Sequence, residues 1–297
     1  MNRIAICGIT GSQGGAVADV CLENNLDIIG ITRNTDSEKA KYYVEKGVHI
    51  VEGDFDNSAS LLGKIDNCQA IFIVTNFWEH MDPEREFSQG KNIIDAAIAS
   101  GVKHIIWSTL EDTNDFQDSI PRIGDYKVPH FDEKGKLSKY LETKMIGQTH
   151  LYTSFFYENL LGMMKLNKEA DGVRRLCMPM SNVPLPIITV KDIGRMVYHV
   201  FENYIQGHIG VASEHLTGSE MATILSDVLE EPVEYIAVSP EQYRQFGFPG
   251  CQDLANMFEF KVVHNDKFCK IRNMVDVKSC FEPTSFKQWC IENKDKL

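Results

Sequence analysis

Short apolar runs alternate with helical patterns through the first half of the chain, which predicts βαβ units and a parallel sheet. Strands are expected at Arg3–Cys7, Asp27–Thr32, His49–Glu52, Ala70–Val74, His104–Ser108 and Leu151–Phe155, where apolar and β-branched residues cluster. Helical spacing of apolar positions covers Gly14–Asn24, Ser37–Lys46, Pro83–Ser100 and Phe131–Thr143. Gly47 and Gly101 follow two of these helices, where a left-handed C-cap residue is favoured. Thr109–Pro129 has no clear period and reads as a loop, and long loops in compact domains are often functional.

After Tyr157 the alternation weakens. The pattern therefore predicts a doubly wound α/β domain over residues 1–156, open to strands from the C-terminal part, and a smaller α/β lobe over 157–297. Within that lobe, Thr217-Gly-Ser-Glu220 and Ser239-Pro-Glu-Gln242 have capping-box spacing, and a last helix is expected near Ser285–Asn293.

Composition narrows the class. At 297 residues, 43% hydrophobic and 24% charged, the chain is ordinary for a globular protein. A chain of this length buries about 75% of its unfolded surface and needs no disulfide or metal staple. Forty-two acidic against 30 basic residues give a net charge of −12, which repels nucleic acid. The best basic cluster (Lys134, Lys136, Lys139, Lys144) is diluted by Asp132, Glu133 and Glu142, so direct nucleic-acid binding is not expected. Eight cysteines show no C-x-x-C pair, which suits buried thiols in a reducing compartment. With no signal core and no apolar stretch near membrane-spanning length, the expected location is the cytosol, with the nucleus accessible and no membrane association. Histidine and cysteine never cluster at ligand spacing along the sequence, so no metal site is expected.

The chemistry begins directly after the first strand. Gly8-Ile9-Thr10-Gly11-Ser12-Gln13-Gly14-Gly15 is a G-x-x-G-x-x-G run that opens a helix. Glycines permit a tight turn and let backbone amides approach a pyrophosphate, and the helix N-terminus adds partial positive charge. At the end of the second strand, an NAD-preferring site places a carboxylate for the ribose 2′-hydroxyl. Here that position reads Arg33-Asn34, which suits the 2′-phosphate of NADP. One charge-assisted contact is worth roughly 1.5–3 kcal/mol, or about 10- to 100-fold in preference. Asp54 and Phe55 follow the third strand, placed for an adenine amino group and ring. Thr75, Asn76 and Phe77 leave the fourth strand at the edge where open sheets bind ligands.

The glycine spacing resembles that of extended and atypical short-chain dehydrogenase/reductases. That resemblance implies Y-x-x-x-K on a helix, the tyrosine donating a proton and the lysine binding the nicotinamide ribose. At the corresponding place the chain reads His130-Phe-Asp-Glu-Lys134: the lysine is present and the phenol is not. Ser108 occupies the usual place of the polarising hydroxyl, so Ser108, His130 and Lys134 would form an altered reductase triad. Imidazole titrates near neutrality and could donate in principle; Tyr126 and Tyr157 are nearby phenols that could substitute for the missing one. Phe156, Tyr157, Glu158 and Asn159 follow the sixth strand, at the height of a nicotinamide ring.

Further words extend the likeness: Thr32-Arg33-Asn34, Phe72-Ile-Val-Thr-Asn76, His130-Phe-Asp-x-Lys-Gly135, Tyr157-Glu-Asn-Leu-Leu161, Gly247-Phe-Pro-Gly250 and Asp253-Leu-Ala-Asn-Met-Phe258. With the glycine loop, they make the chain resemble the NmrA-like family, and within it the animal NADP-sensing members. The resemblance implies a Rossmann domain with a smaller C-terminal lobe, NADP(H) binding, and regulation through a protein partner or homodimerisation. It implies cofactor contacts at Gly8–Gln13, Arg33, Asn34, Asp54, Phe55, Thr75–Phe77, Lys134 and Phe156–Asn159. The family's basic residues after the strand-two arginine are not matched closely, since Thr35, Asp36 and Ser37 precede Lys39. Two functions follow as expectations: a sensor of NADPH/NADP⁺ status, or an NADPH-dependent reductase of a quinone or small carbonyl compound.

Overall fold

Strands of a parallel sheet are buried on both faces by the crossover helices, so they form where apolar residues run without alternation. Arg3–Cys7 (β1) meets that condition, and every residue from Ile4 to Cys7 is buried. The computed structural model describes residues 2–166 and 168–297. After β1 come α1 (Ser12–Glu23), β2 (Asp27–Thr32), α2 (Glu38–Glu45), β3 (His49–Glu52), β4 (Ala70–Ile73), α3 (Pro83–Ala99), β5 (His104–Thr109), α4 (Pro129–Glu142) and β6 (Gly147–Tyr152). Next follow β7 (Phe155–Phe156), β8 (Arg174–Met178), β9 (Leu185–Ile188), α5 (Val190–Asn203), β10 (Gly207–Gly210), β11 (Glu214–Leu216), α6 (Gly218–Leu229) and β12 (Val233–Ala237). The chain ends with α7 (Pro240–Arg244), α8 (Cys251–Val263), α9 (Asn265–Ile271), α10 (Met274–Cys280) and α11 (Phe286–Glu292).

The described residues divide into two compact units. One comprises Met1–Asp112, His130–Tyr152 and Ile193–Ile209; the other comprises Thr113–Pro129, Thr153–Asp192 and Gly210–Leu297. Each is assembled from three separate stretches of chain, whereas the sequence pattern suggested one boundary near residue 156.

The first unit is built on a sheet of order β10-β6-β5-β4-β1-β2-β3. Its β1–β2, β1–β4, β2–β3, β4–β5 and β5–β6 pairs are parallel. This is the Rossmann doubly wound order, and winding reverses between β1 and β4. Ile71, Ile73, Ile93, Ile94, Ala97, Trp107, Leu137 and Leu141 belong to one buried cluster of this unit. Such packing leaves the carboxyl ends of β1 and β4 as the place where loops diverge.

One element differs from expectation. The strand predicted over Leu151–Phe155 is two pieces: β6 runs earlier, and Phe155–Phe156 joins another sheet. Polar side chains hid the true span. His104 is fully buried on β5 and its Nε2 lies 2.7 Å from Thr149 Oγ1, and the polar run Gly147-Gln-Thr-His150 pairs with β5.

In the second unit the sheets have order β11-β9-β7 and β12-β8. Both expected capping boxes form, at Thr217/Glu220 and Ser239/Gln242, and each starts its helix. Phe286–Glu292 begins at a Ser285 cap, as the pattern suggested. The stretch read as a loop is tied down by buried polar contacts within this unit. Asp118 receives Lys127 Nζ at 2.9 Å and His264 Nε2 at 3.0 Å, and Asn256 Nδ2 donates to the carbonyls of Pro121 and Lys127. Cys7, Cys21, Cys68, Cys251 and Cys290 are buried, and no disulfide forms among the described residues.

Two buried histidines make stability depend on acid. Burial pulls His104 from 6.5 down to about 4, and burial with nearby His208 does the same to His150. Between those values the unfolded chain binds more protons than the folded one, so stability is present above pH 6.5 and falls as pH drops toward 4. Thermal melts at about pH 7 and about pH 5 should show this loss. His104→Gln should flatten the dependence; an unchanged slope would remove His104 from the explanation.

Candidate functional site

The turn after β1 is shaped by two glycines. Gly8 has φ +61°, in the left-handed region, and its carbonyl accepts from Gly11 N at 2.8 Å. A Cβ on Gly14 would lie 2.3 Å from Gly8 O and 2.7 Å from Cys7 O, so any other residue would lever α1 away from β1. The helix begins at Gly11 without a side-chain cap and has no acidic residue in its first turn. Its first amides and the positive end of its dipole are therefore left for an anion. Ile9 is fully buried, Thr10 O accepts from Lys39 Nζ at 3.0 Å, and Ser12 is exposed. Gln13 Oε1 accepts from Ser108 Oγ at 2.8 Å, which joins the loop to the end of β5.

Arg33 leaves the end of β2 and meets a carboxylate that sequence reasoning missed. Its guanidinium pairs with Glu79 in a two-point contact, Nη1 to Oε1 and Nη2 to Oε2, the latter at 2.8 Å. Glu79 raises the Arg33 pKa, and Arg33 in turn holds the Glu79 carboxyl below its ordinary range. Both side chains are well exposed, so the pair is worth about 0.2–1 kcal/mol and an incoming anion can exchange with it. Asn34 is exposed, and its Oδ1 accepts from Asp36 N at 3.0 Å. Asp54 Oδ1 likewise accepts from Asp56 N at 3.0 Å, and Phe55 packs half-buried against the apolar cluster.

The second cation is Lys134 on α4. Its Nζ donates to Thr75 Oγ1 at 2.6 Å, to Thr75 O at 3.2 Å and to Glu86 Oε1 at 2.7 Å, and lies 5.4 Å from the Trp107 ring centre. Thr75 Oγ1 donates to the same Glu86 oxygen at 2.6 Å. Glu86 is fully buried, and its Oε2 has no hydrogen-bond partner among the described residues. Glu86 was also missed by sequence reasoning. Its signal was present, because Glu86, Gln89, Gly90, Ile93, Ile94 and Ala97 form the buried stripe of α3, and a carboxylate on an apolar stripe requires a partner.

His130, one turn before Lys134, is 6% exposed. Its ring centre lies 6.0 Å from that of Phe77, 4.8 Å from Trp78 and 4.8 Å from Phe131, and Asn76 beside them is exposed. The first unit thus carries the glycine turn, Ser108, Arg33, Thr75, Phe77, His130 and Lys134 at the carboxyl ends of its strands and on the loops and helices that follow them.

Phe156–Asn159 belong to the second unit and have duties within it. Tyr157 is fully buried and donates to Thr284 O at 3.1 Å, and burial raises its phenol far above the ordinary value. Glu158 accepts from Thr189 Oγ1 at 2.7 Å, Val190 N at 3.2 Å and Trp289 Nε1 at 3.2 Å. Phe156 is half-buried on β7, and Asn159 O closes the next turn by accepting from Met164 N at 2.9 Å. Tyr126, also in this unit, is 8% exposed.

The sequence pattern of the NmrA-like family matches residues 1–289. The chain belongs to the NmrA-like family. An NmrA-like family domain-containing oxidoreductase, notA′ of Aspergillus versicolor, is 31% identical over 245 residues, 74% of this chain and 67% of that protein. Among solved structures, NmrA, a negative transcriptional regulator in complex with NADP, superimposes with a TM-score of 0.82 at 17% identity, covering 98% of this chain and 94% of that one. An NADPH-dependent quinone oxidoreductase of Escherichia coli complexed with NADPH gives a TM-score of 0.76 at 19% identity, with 98% and 99% covered. At such identities the structural likeness concerns the fold. Among the described residues, no helix of this NmrA-like chain is long and apolar enough to cross a membrane.

Breaking a buried ion pair strands the remaining charge. Glu86→Ala and Lys134→Met should each destabilise this NmrA-like chain by about 3–5 kcal/mol in urea unfolding. The double variant Glu86→Met/Lys134→Met should recover much of that loss. Additive losses would show that the two groups are not coupled.

Proposed function

We propose that this NmrA-like chain binds NADP(H) and serves as a regulatory protein that reports NADPH/NADP⁺ status through its conformation, dimerisation or a protein partner. The carrying observation is the Lys134 site. Lys134, the cation this reading assigns to the nicotinamide ribose, is held in place by Thr75 and Glu86, while the position four residues before it carries an imidazole walled by Phe77, Trp78 and Phe131. A site that keeps the binding cation and lacks the phenol retains affinity while losing the 10²- to 10⁴-fold that general acid catalysis typically supplies. NmrA, a regulator crystallised with NADP, lends the reading support.

In this reading the uncapped start of α1 takes the pyrophosphate. The 2′-phosphate takes Arg33 by displacing Glu79. Because a carboxylate already occupies the guanidinium, preference for NADP(H) over NAD(H) falls toward the low end of the 10- to 100-fold range. The oxidised nicotinamide ring is cationic and the reduced ring neutral, and since Glu86 offsets the Lys134 ammonium at 2.7 Å, redox discrimination in this reading falls to the groups that touch the ring itself. A sensor requires such a difference, since a ligand shifts a conformational equilibrium only by its differential affinity.

The names of the relatives favour a second reading, an NADPH-dependent reductase of a quinone or small carbonyl compound. Direct hydride transfer to a quinone depends less on a phenolic donor.

Calorimetric titration of one sample with NADPH, NADP⁺ and NADH tests the proposal. NADPH should bind about tenfold more tightly than NADH. Arg33→Ala should erase that margin, and Glu79→Gln should widen it. Equal affinity for NADPH and NADP⁺ with one unchanged oligomeric state would end the sensor reading. Sustained NADPH oxidation in the presence of quinones would favour the reductase.

A further inference from the structure

We propose that Glu142, His150 and His208 form a binding site for a divalent transition-metal ion of the zinc class at the outer edge of the large sheet. The two histidines are 58 residues apart in sequence, so no ligand spacing announces them. They meet because β10, the outermost strand, adjoins β6, and Glu142 ends α4 beside them. One candidate donor atom from each of the three side chains lies within 4.8 Å of the others, and His208 Nε2 stands 3.5 Å from Glu142 Oε1.

The independent observation is the state of His150. Its side chain is 1% exposed, and its Nε2 lies 2.9 Å from Gln148 Oε1. An amide oxygen only accepts, so Nε2 carries the proton and Nδ1 presents a lone pair. That Nδ1 is buried without a hydrogen-bond partner among the described residues. A buried lone pair on a neutral imidazole, with the other nitrogen held by an acceptor, is the arrangement that metal-bound histidines show. His208 Nδ1 lies 3.2 Å from Tyr152 Oη, a hydroxyl that can accept from it and so leave Nε2 turned toward Glu142.

The rings of His150 and His208 stack at 4.6 Å and 6°. Binding requires their lone pairs to converge, since zinc–nitrogen distances of about 2.0–2.1 Å in a tetrahedron place donor atoms roughly 3.3 Å apart. Half-exposed His208 and Glu142 have room to rotate while His150 stays put. Two imidazoles and one carboxylate select zinc, cobalt or nickel over magnesium or calcium, with water in the remaining position. The negative end of the α4 dipole adds attraction for the cation. Once bound, the ion ties β10 to β6 and to the end of α4.

The test is titration of the full, tag-free chain with zinc by calorimetry and with cobalt by visible absorption. The expected result is one equivalent of either metal, the bands of four-coordinate cobalt without thiolate charge transfer, and a higher melting temperature with zinc. His208→Ala, at a half-exposed position, should fold normally by circular dichroism and lose the site. Glu142→Gln should weaken binding, and Gln148→Ala should weaken it by roughly tenfold. The proposal is overturned by absence of uptake, by uptake that survives His208→Ala, or by a cobalt spectrum dominated by thiolate bands.

Discussion

The approach of α1 to the Gly8 carbonyl is the constraint on which the rest of the nucleotide-type site depends. With only hydrogen on the Gly14 Cα, the helix comes close enough to β1 that its first amides open at the point where sheet winding reverses. Gly8 and Thr75 follow β1 and β4, and Ser108 lies at the end of neighbouring β5, so the position of α1 sets where its first amides stand relative to all three. The hydrogen bond from Ser108 to Gln13 depends on the same closure.

Two carboxylates hold the two cations of this site, and burial separates their roles. Glu79 meets Arg33 in the open, where screening leaves the pair weak and exchangeable. Glu86 meets Lys134 with the carboxylate wholly buried, where removing either partner leaves a stranded charge. A phosphate can therefore replace the first carboxylate, while the second keeps the ammonium oriented whether or not a ligand is present.

The periodic parts of this fold were legible because local residues determine them. β1, β2 and β3 follow the apolar runs residue for residue, and α3 follows its helical stripe. The glycine turn, Arg33 and Lys134 stand where motif spacing set them along the chain, after β1, after β2 and on α4. What escaped was set by pairing between distant segments. β6 draws its polar residues into the sheet through His104 and Thr149, 45 residues apart. Glu79 and Glu86 find their partners 46 and 48 residues away. The partners of Tyr157 and Glu158 were likewise not legible, because Thr284, Thr189 and Trp289 lie far along the sequence.

The broken assembly of the two units bears on how the protein is made. The chain leaves the first unit after Asp112, returns at His130, departs after Tyr152 and comes back at Ile193 for a last visit ending at Ile209. On the ribosome, β6 is the final strand of the large sheet to emerge for more than fifty residues, and until β10 arrives its outer side is an unpaired edge. Through that interval the six-residue edge of β6 is open to pairing with another copy, and the four-residue β10 then replaces it with a shorter edge.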